Sequence, residues 1–238
     1  EATLTRLDGV KISTSNDFDS KTGEIKNSNV LILSKTQAES LVSELESGNW
    51  KITDIKEKPR SSNPKPPFTT STLQQEAARK LRSSARQTMS TAQKLYENGF
   101  ITYMRTDSTN LSDEAIEGSR KIILNNYGKD YLPNTENRYS SKVKNAQEAH
   151  EAIRPSDVNM RPEQLKGVDA DAVRLYGLIR NQFIACQMTD AEYLSTSIKA
   201  QAGDFELRIR GRILKFDGFT RVLPPMSRKE EDTALPDL

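Results

Sequence analysis

Apolar positions recur at helical spacing through the middle of the chain, and strand-like runs flank that region on both sides. Val30 to Leu33 reads as a short strand. Ser34 with Gln37 forms a capping box for the helix that follows, whose Ala38, Leu41, Val42 and Leu45 share a face, and Gly48 ends it. Trp50 to Lys58 alternates partially, as a strand does. Pro59 to Pro67 then holds four prolines among Ser and Lys, too stiff and polar for a core element, which predicts a domain boundary.

From Phe68 the spacing turns helical. Ser71 with Gln74 predicts a second capping box, and Leu73, Ala77, Ala78 and Leu81 make an apolar stripe. A turn at Ser83-Ser84-Ala85 leads to a helix with Met89, Ala92, Leu95 and Tyr96 inward and Gly99 at its end. Two short helices, a tight turn and an extended Phe100 to Met104 predict a helix-turn-helix followed by a wing-like strand. Ser112 opens another helix, with Asp113 and Glu114 where the dipole favours them, Ile116, Ile122 and Ile123 inward, and Tyr127-Gly128 closing it. A short helical stretch is expected around Gln147 to Ile153, and a longer, largely buried helix over Ala170 to Met188. Tyr193 to Gln201, Phe205 to Arg210 and Arg212 to Phe219 read as strands, with a hairpin turn at Ala202-Gly203-Asp204. The expected fold is α+β and multidomain. A mainly helical domain, residues 63–189, carries a winged-helix-like (CAP-like) element and is inserted into a β-rich domain built from residues 1–62 and 190–238.

Composition narrows the function classes. Only 34% of residues are hydrophobic and 29% are charged, and no apolar run approaches the ~18 residues that span a bilayer. The chain starts at Glu1 and ends in a polar, proline-containing stretch, which suggests a piece of a longer protein. The lone cysteine, Cys186, can form no internal disulfide and reads as a small buried hydrophobe in a reducing cytoplasm. Net charge is only +2, but Arg60 to Arg105 carries eight Lys/Arg against two Glu. Such segregation fits a phosphate-binding face, and it equally fits a solvated helix surface.

No Cys/His cluster, acidic Mg²⁺ run or phosphate-cradling glycine loop is visible, so nucleotide hydrolysis is not expected. The densest chemistry lies in Thr102-Tyr103-Met104-Arg105-Thr106-Asp107-Ser108-Thr109-Asn110. Extended backbone there puts Tyr103, Arg105 and Asp107 on one side. A phenol beside a guanidinium can attack phosphorus, because Arg neutralises the charge that develops. The phenol needs help in losing its proton, with an ordinary pKa of about 10. The same residues also suit a loop that caps the next helix, and spacing leaves both readings open. The one histidine, His150, stands between Glu148 and Glu151 and one helical turn from Arg154, so both could face one phosphate.

Gly99-Phe100-Ile101-Thr102-Tyr103-Met104-Arg105-Thr106-Asp107-Ser108-Thr109 resembles the active-site signature of the bacterial DNA topoisomerase I family, which are type IA enzymes. The resemblance extends to Pro64 to Ala77, Gln147 to Pro155 and Gly211 to Gly218, and runs from about Pro64 to Leu223. It implies that Tyr103 attacks single-stranded DNA, forming a 5′-phosphotyrosine and releasing a 3′-hydroxyl, with no ATP required. By the same resemblance Arg105 and His150 act at the scissile phosphate. Thr102, Thr106, Asp107 and Arg154 position or contact the DNA. The family's Mg²⁺ site lies in a Toprim domain, which this sequence lacks, as it lacks the domain that closes the enzyme's ring. The β-rich ends correspond to the family's arch or hinge domain. The expected location is the bacterial cytoplasm, at the nucleoid.

Two other readings remain. Tyrosine recombinases and type IB enzymes also use tyrosine, but place it after their Arg and His residues, whereas Tyr103 precedes both His150 and Arg154. A non-catalytic winged-helix DNA-binding module would use the same helices without chemistry at Tyr103.

Overall fold

The computed structural model describes residues 2–26, 28–139 and 151–225. The chain divides into two compact units. The first gathers the described residues of 1–60 and 193–214, and the second those of 61–192 and 215–228. His150 and the Gln147 to Ala149 part of the expected helical stretch lie outside the described residues.

A six-stranded sheet organises the first unit. Its strands are β1 (Ala2–Leu7), β2 (Val10–Ile12), β3 (Val30–Leu31), β4 (Lys51–Ser62), β5 (Ala191–Ala202) and β6 (Phe205–Phe216), in the order β3-β2-β1-β6-β5-β4. β1 pairs antiparallel with β2 and with β6, and β2 pairs parallel with β3. A register shift between Leu4 and Arg6 marks a bulge in β1. Helix α1 (Lys35–Ser47) sits between β3 and β4 in sequence, capped by Ser34, whose hydroxyl accepts from the Gln37 amide, with Gly48 at its end. Its predicted apolar face is thin, since no α1 residue is buried and Ala38 and Val42 are exposed. Near β2, the Asp17 carboxylate accepts from Lys11 Nζ at 2.6 and 2.7 Å. With the Thr14 amide and hydroxyl as further donors, this holds the carboxyl down to about 2.

Three strand expectations are corrected. Ile32 and Leu33 fall outside β3. Pro59 to Ser62 belongs to β4 rather than to a linker, because β4 is an edge strand, where a missing proline N–H leaves no ladder bond broken. The break expected between Arg210 and Arg212 is absent, since β6 continues through Gly211 to Phe216 and a 3₁₀ turn, Gly218–Arg221, follows. A glycine in a strand weakens it without ending it.

Helices dominate the second unit: α2 (Thr70–Leu81), α3 (Ala85–Glu97), α4 (Asp113–Tyr127) and α5 (Ala170–Ala185). α5 has the widest apolar coverage and serves two clusters. Leu175, Tyr176 and Ile179 pack with Phe68, Leu73, Ala77, Leu95, Ile101, Met104 and Ile153. Phe183, Ile184 and Met188 pack with Ala115, Ile122, Ile123 and Val222. Burial of aliphatic and aromatic side chains on this scale is the main stabilising contribution, roughly 1.5–3 kcal/mol for each large side chain fully removed from water. Cys186 is fully buried beside them. Burial pushes its thiol up to about 12, so it stays protonated and packs as a small apolar group.

Helix α2 begins earlier than expected. Its cap is Thr69, in a reciprocal capping box with Thr72 rather than the predicted Ser71 and Gln74. The Thr70 amide and hydroxyl are directed to the carbonyls of Met104 and Thr106, which draws the first turn forward. α3 and α4 carry Ser84 and Ser112 caps, the latter followed by Asp113 and Glu114 as expected. The wing-like strand after α3 does not form a hairpin. Ile101 makes an isolated antiparallel bridge with Pro155, and Phe68 makes one with Ile153. Glu151 to Ile153 is extended rather than helical, because the Ala152 and Ile153 amides donate to Asn110 and Phe68 carbonyls across the core.

Candidate active site

Three pieces of chain meet around Tyr103: the end of α3, the segment 100–110 and the extended segment 151–156. Gly99, with φ of 74°, follows the Asn98 cap and turns the chain out of α3, a conformation that costs glycine little. Beyond it the backbone is pinned on both sides. The Thr102 amide donates to the Arg154 carbonyl at 2.9 Å, and the Ser156 amide donates to the Phe100 carbonyl at 3.0 Å. Thr102 Oγ1 donates to the Ala152 carbonyl at 2.7 Å and accepts from the Arg154 amide at 3.0 Å. From the other side Thr70 Oγ1 donates to the Met104 carbonyl at 2.8 Å and accepts from the Thr106 amide at 2.9 Å.

Burial then alternates residue by residue. Met104, Thr106 and Ser108 are buried, whereas Tyr103, Arg105 and Asp107 are exposed. The alternation puts the phenol, guanidinium and carboxylate on the solvent side of one anchored segment, although the backbone bends at Thr102, Met104 and Arg105 instead of running as a regular strand. Tyr103 is 43% exposed, and its ring meets Tyr96 edge-on. Among the described residues no partner hydrogen-bonds the Tyr103 hydroxyl, the Arg105 guanidinium or the Asp107 carboxylate, so all three are open to an incoming group.

Thr102 and Thr106 are directed inward. Thr106 is 7% exposed, and its hydroxyl accepts from the Ser108 amide at 3.1 Å. Arg154 is also committed. Its Nη2 and Nε donate to the two oxygens of Glu151 at 2.6 and 3.3 Å, and its Nη1 donates to the Pro155 carbonyl at 2.8 Å. The expected helical turn between His150 and Arg154 is absent over Glu151 to Ile153, so spacing on a helix no longer links those two residues. Glu151 Oε1 additionally accepts from the Ser112 amide at 2.7 Å, tying the start of α4 to the same hub.

Burial pushes the Glu151 carboxyl upward, but Arg154 and the Ser112 amide more than offset that and hold it below the ordinary 4.5. A carboxyl depressed on folding contributes stability that is fully present above its unfolded value and lost as pH falls through its folded value. Glu151→Gln is therefore expected to melt below the parent at pH 7, with the gap closing as pH falls from about 5 towards 3. Thermal melts of both proteins across that range check this; a gap that stays constant contradicts the assignment.

Comparison with known proteins fits this arrangement. A family model for DNA topoisomerase matches residues 9–238. DNA topoisomerase 1 of Pseudomonas aeruginosa is 56% identical over 206 residues, covering 87% of this chain and 24% of that protein. The chain belongs to the bacterial DNA topoisomerase I family. DNA topoisomerase 1 of Escherichia coli is 53% identical over 203 residues, covering 85% of this chain and 23% of that protein. Full-length topoisomerase I from Thermotoga maritima, in a monoclinic crystal form, superimposes with a TM-score of 0.71 at 33% identity. That match covers 90% of this chain and 35% of the Thermotoga protein. The chain thus spans about a quarter of the length of its curated relatives.

Within this family member, two features of the site escaped sequence reading. Thr70 is the central anchor of the 104–106 backbone, but a threonine at a helix start carries no long-range signal. Tyr96 was expected inward on α3, yet it is 40% exposed and faces Tyr103. Its place one residue before the end of α3, where the helix surface gives way to the Tyr103 segment, explains the difference. Among the described residues no group of three His, Cys, Asp or Glu side chains could hold a metal ion. No helix among them is long and apolar enough to cross a membrane.

Proposed function

We propose that this chain is the tyrosine-bearing part of an ATP-independent type IA topoisomerase that cleaves, passes and rejoins single strands of DNA, relaxing negative supercoils. The observation that carries the reading is the exposed Tyr103–Arg105 pair on a segment whose backbone is fixed from both sides. In the proposed reaction Tyr103 Oη gives up its proton to water and attacks a backbone phosphorus. A phosphorus–oxygen bond to tyrosine forms as the bond to the 3′ oxygen breaks, and that oxygen takes up a proton to leave as a hydroxyl. Arg105, exposed on the same side and without a partner among the described residues, neutralises the extra charge on the phosphoryl oxygens. Thr102 and Thr106 act through the backbone, as positioning residues, while Asp107 faces the DNA. His150 and Arg154 are assigned to the phosphate's surroundings; for Arg154 this requires DNA to compete with Glu151. Rejoining reverses the bond exchange, which is why no nucleotide is consumed.

Mg²⁺, with the acidic groups that hold it, is assigned to a Toprim domain outside this chain, as is the ring-closing domain. The second unit is read as the helical domain inserted into an arch formed by the first, at the bacterial nucleoid. Family membership favours this over a non-catalytic winged-helix module, as does the exposed tyrosine on a rigid base.

Supercoiled plasmid relaxation tests the reading. The chain alone with Mg²⁺ is expected to leave plasmid supercoiled and to bind single-stranded oligonucleotide with affinity that falls steeply with salt. Mixed with a separately produced Toprim-bearing part of a family member, it is expected to relax the plasmid without ATP. Efficient relaxation by the chain alone would contradict the division of the site.

A further inference from the structure

Tyr103 has a fixed backbone and a loosely held ring. Thr102, Met104 and Thr106 are tied to segments 151–156 and α2, but among the described residues the Tyr103 hydroxyl has no hydrogen-bond partner. Its χ1 and χ2 torsions must therefore be selected by packing. The ring contact that meets it comes from Tyr96, whose centroid lies 5.2 Å away with the planes inclined at 66°. That is edge-to-face geometry, in which the positive rim of one ring approaches the negative face of the other.

Tyr96 is well placed to give direction. It stands in α3, one residue before the helix's last, on a turn closed by the Asn98 cap, whose amide donates to the Lys94 and Tyr96 carbonyls. α3 is anchored underneath by Leu95, Ala92 and Thr91, all buried. Tyr96 is 40% exposed, so its ring is not enclosed by the core beneath α3 and lies at the surface beside Tyr103.

We infer that Tyr96 is a positioning residue for the nucleophile: its ring holds the Tyr103 phenol in the orientation from which Oη can approach phosphorus in line. The inference rests on Tyr103 being the nucleophile. It assigns Tyr96 no proton transfer, because the contact is between rings.

The expected cost of losing the contact follows from its size. Aromatic pairs of this geometry stabilise one arrangement by a modest amount, which corresponds to roughly a two- to tenfold change in population and hence in cleavage rate. Tyr96→Leu removes the ring edge, and Tyr96→Phe keeps it.

In the chain by itself, the ring-proton NMR shifts of a specifically labelled Tyr103 are expected to move towards random-coil values in Tyr96→Leu and to stay near the parent's in Tyr96→Phe. Unchanged Tyr103 shifts in Tyr96→Leu overturn the inference. The second measurement uses a full-length bacterial topoisomerase I that carries this chain in place of its matching segment. Single-turnover cleavage of a single-stranded oligonucleotide is read at saturating DNA. Tyr96→Leu is expected to slow cleavage two- to tenfold with oligonucleotide affinity unchanged, and Tyr96→Phe to recover most of the rate. Equal loss in both variants would assign the effect to the hydroxyl, and loss of affinity alone would make Tyr96 a base-stacking contact; either overturns the inference. Tyr103→Phe in the same assay separates the two claims, since cleavage surviving that change indicts the nucleophile reading and not Tyr96.

Discussion

Tyr103→Phe is expected to abolish covalent capture of DNA, a loss of at least about a thousandfold in cleavage, while leaving the fold intact. The hydroxyl oxygen is the only heavy atom removed. It lies on a ring that is 43% exposed and has no hydrogen-bond partner among the described residues, so nothing in the core depends on it. Thermal midpoint and single-strand affinity should therefore remain near the parent's. Cleavage should vanish because the hydroxyls beside Tyr103 in sequence are committed elsewhere: Thr102 Oγ1 donates to the Ala152 carbonyl, and Thr106 and Ser108 are buried. The measurement is oligonucleotide cleavage by the chain reunited with a Toprim-bearing part, run beside the parent. Persisting cleavage would move the chemistry away from this segment altogether.

The largest effect on stability is expected at Gly218, far from the reacting atoms. Its φ of 47° suits glycine and strains other residues. A Cβ there would stand 2.1 Å from the Asp190 carbonyl oxygen and 2.6 Å from the Thr189 oxygen, both backbone atoms with no flexible end to swing aside. The crossing is held by the Phe219 amide, which donates to the Thr189 carbonyl at 2.9 Å. Phe219 and Val222 in turn pack on the cluster that contains Phe183 and Ile184. Gly218→Ala must separate these segments and loosen that cluster. The cost is about 3–5 kcal/mol, which for a chain of this size lowers the melting midpoint by roughly 10 °C. Calorimetry or circular-dichroism melts measure it directly. A midpoint within about 2 °C of the parent's would mean the crossing relaxes freely.

Much of the helical unit was legible because its signals are local. Ser112 caps the helix it was expected to open, and Leu73, Ala77, Ile116, Ile122 and Ile123 face inward. What sequence missed depends on partners distant in the chain. Pro59 was taken as a breaker because its position on an edge strand cannot be seen from its neighbours. Glu151 to Ile153 suited a helix by composition, but its amides are claimed by Asn110 and Phe68. α2 starts at Thr70 because of carbonyls more than thirty residues ahead. The sidedness of Tyr103, Arg105 and Asp107 could be read from alternation alone. The commitment of Arg154 to Glu151, and the approach of Tyr96 to Tyr103, could not, since both are tertiary contacts.

The central claim is that Tyr103 is the atom-bearing partner in DNA cleavage. The most direct measurement reunites the chain with a Toprim-bearing part, supplies single-stranded oligonucleotide and Mg²⁺, and denatures the mixture before proteolysis and tandem mass spectrometry. The account predicts a peptide carrying a nucleotide on Tyr103, joined through a 5′ phosphate, with a free 3′-hydroxyl on the released strand. A 3′-phosphate linkage, or a nucleotide on any other residue, would contradict it.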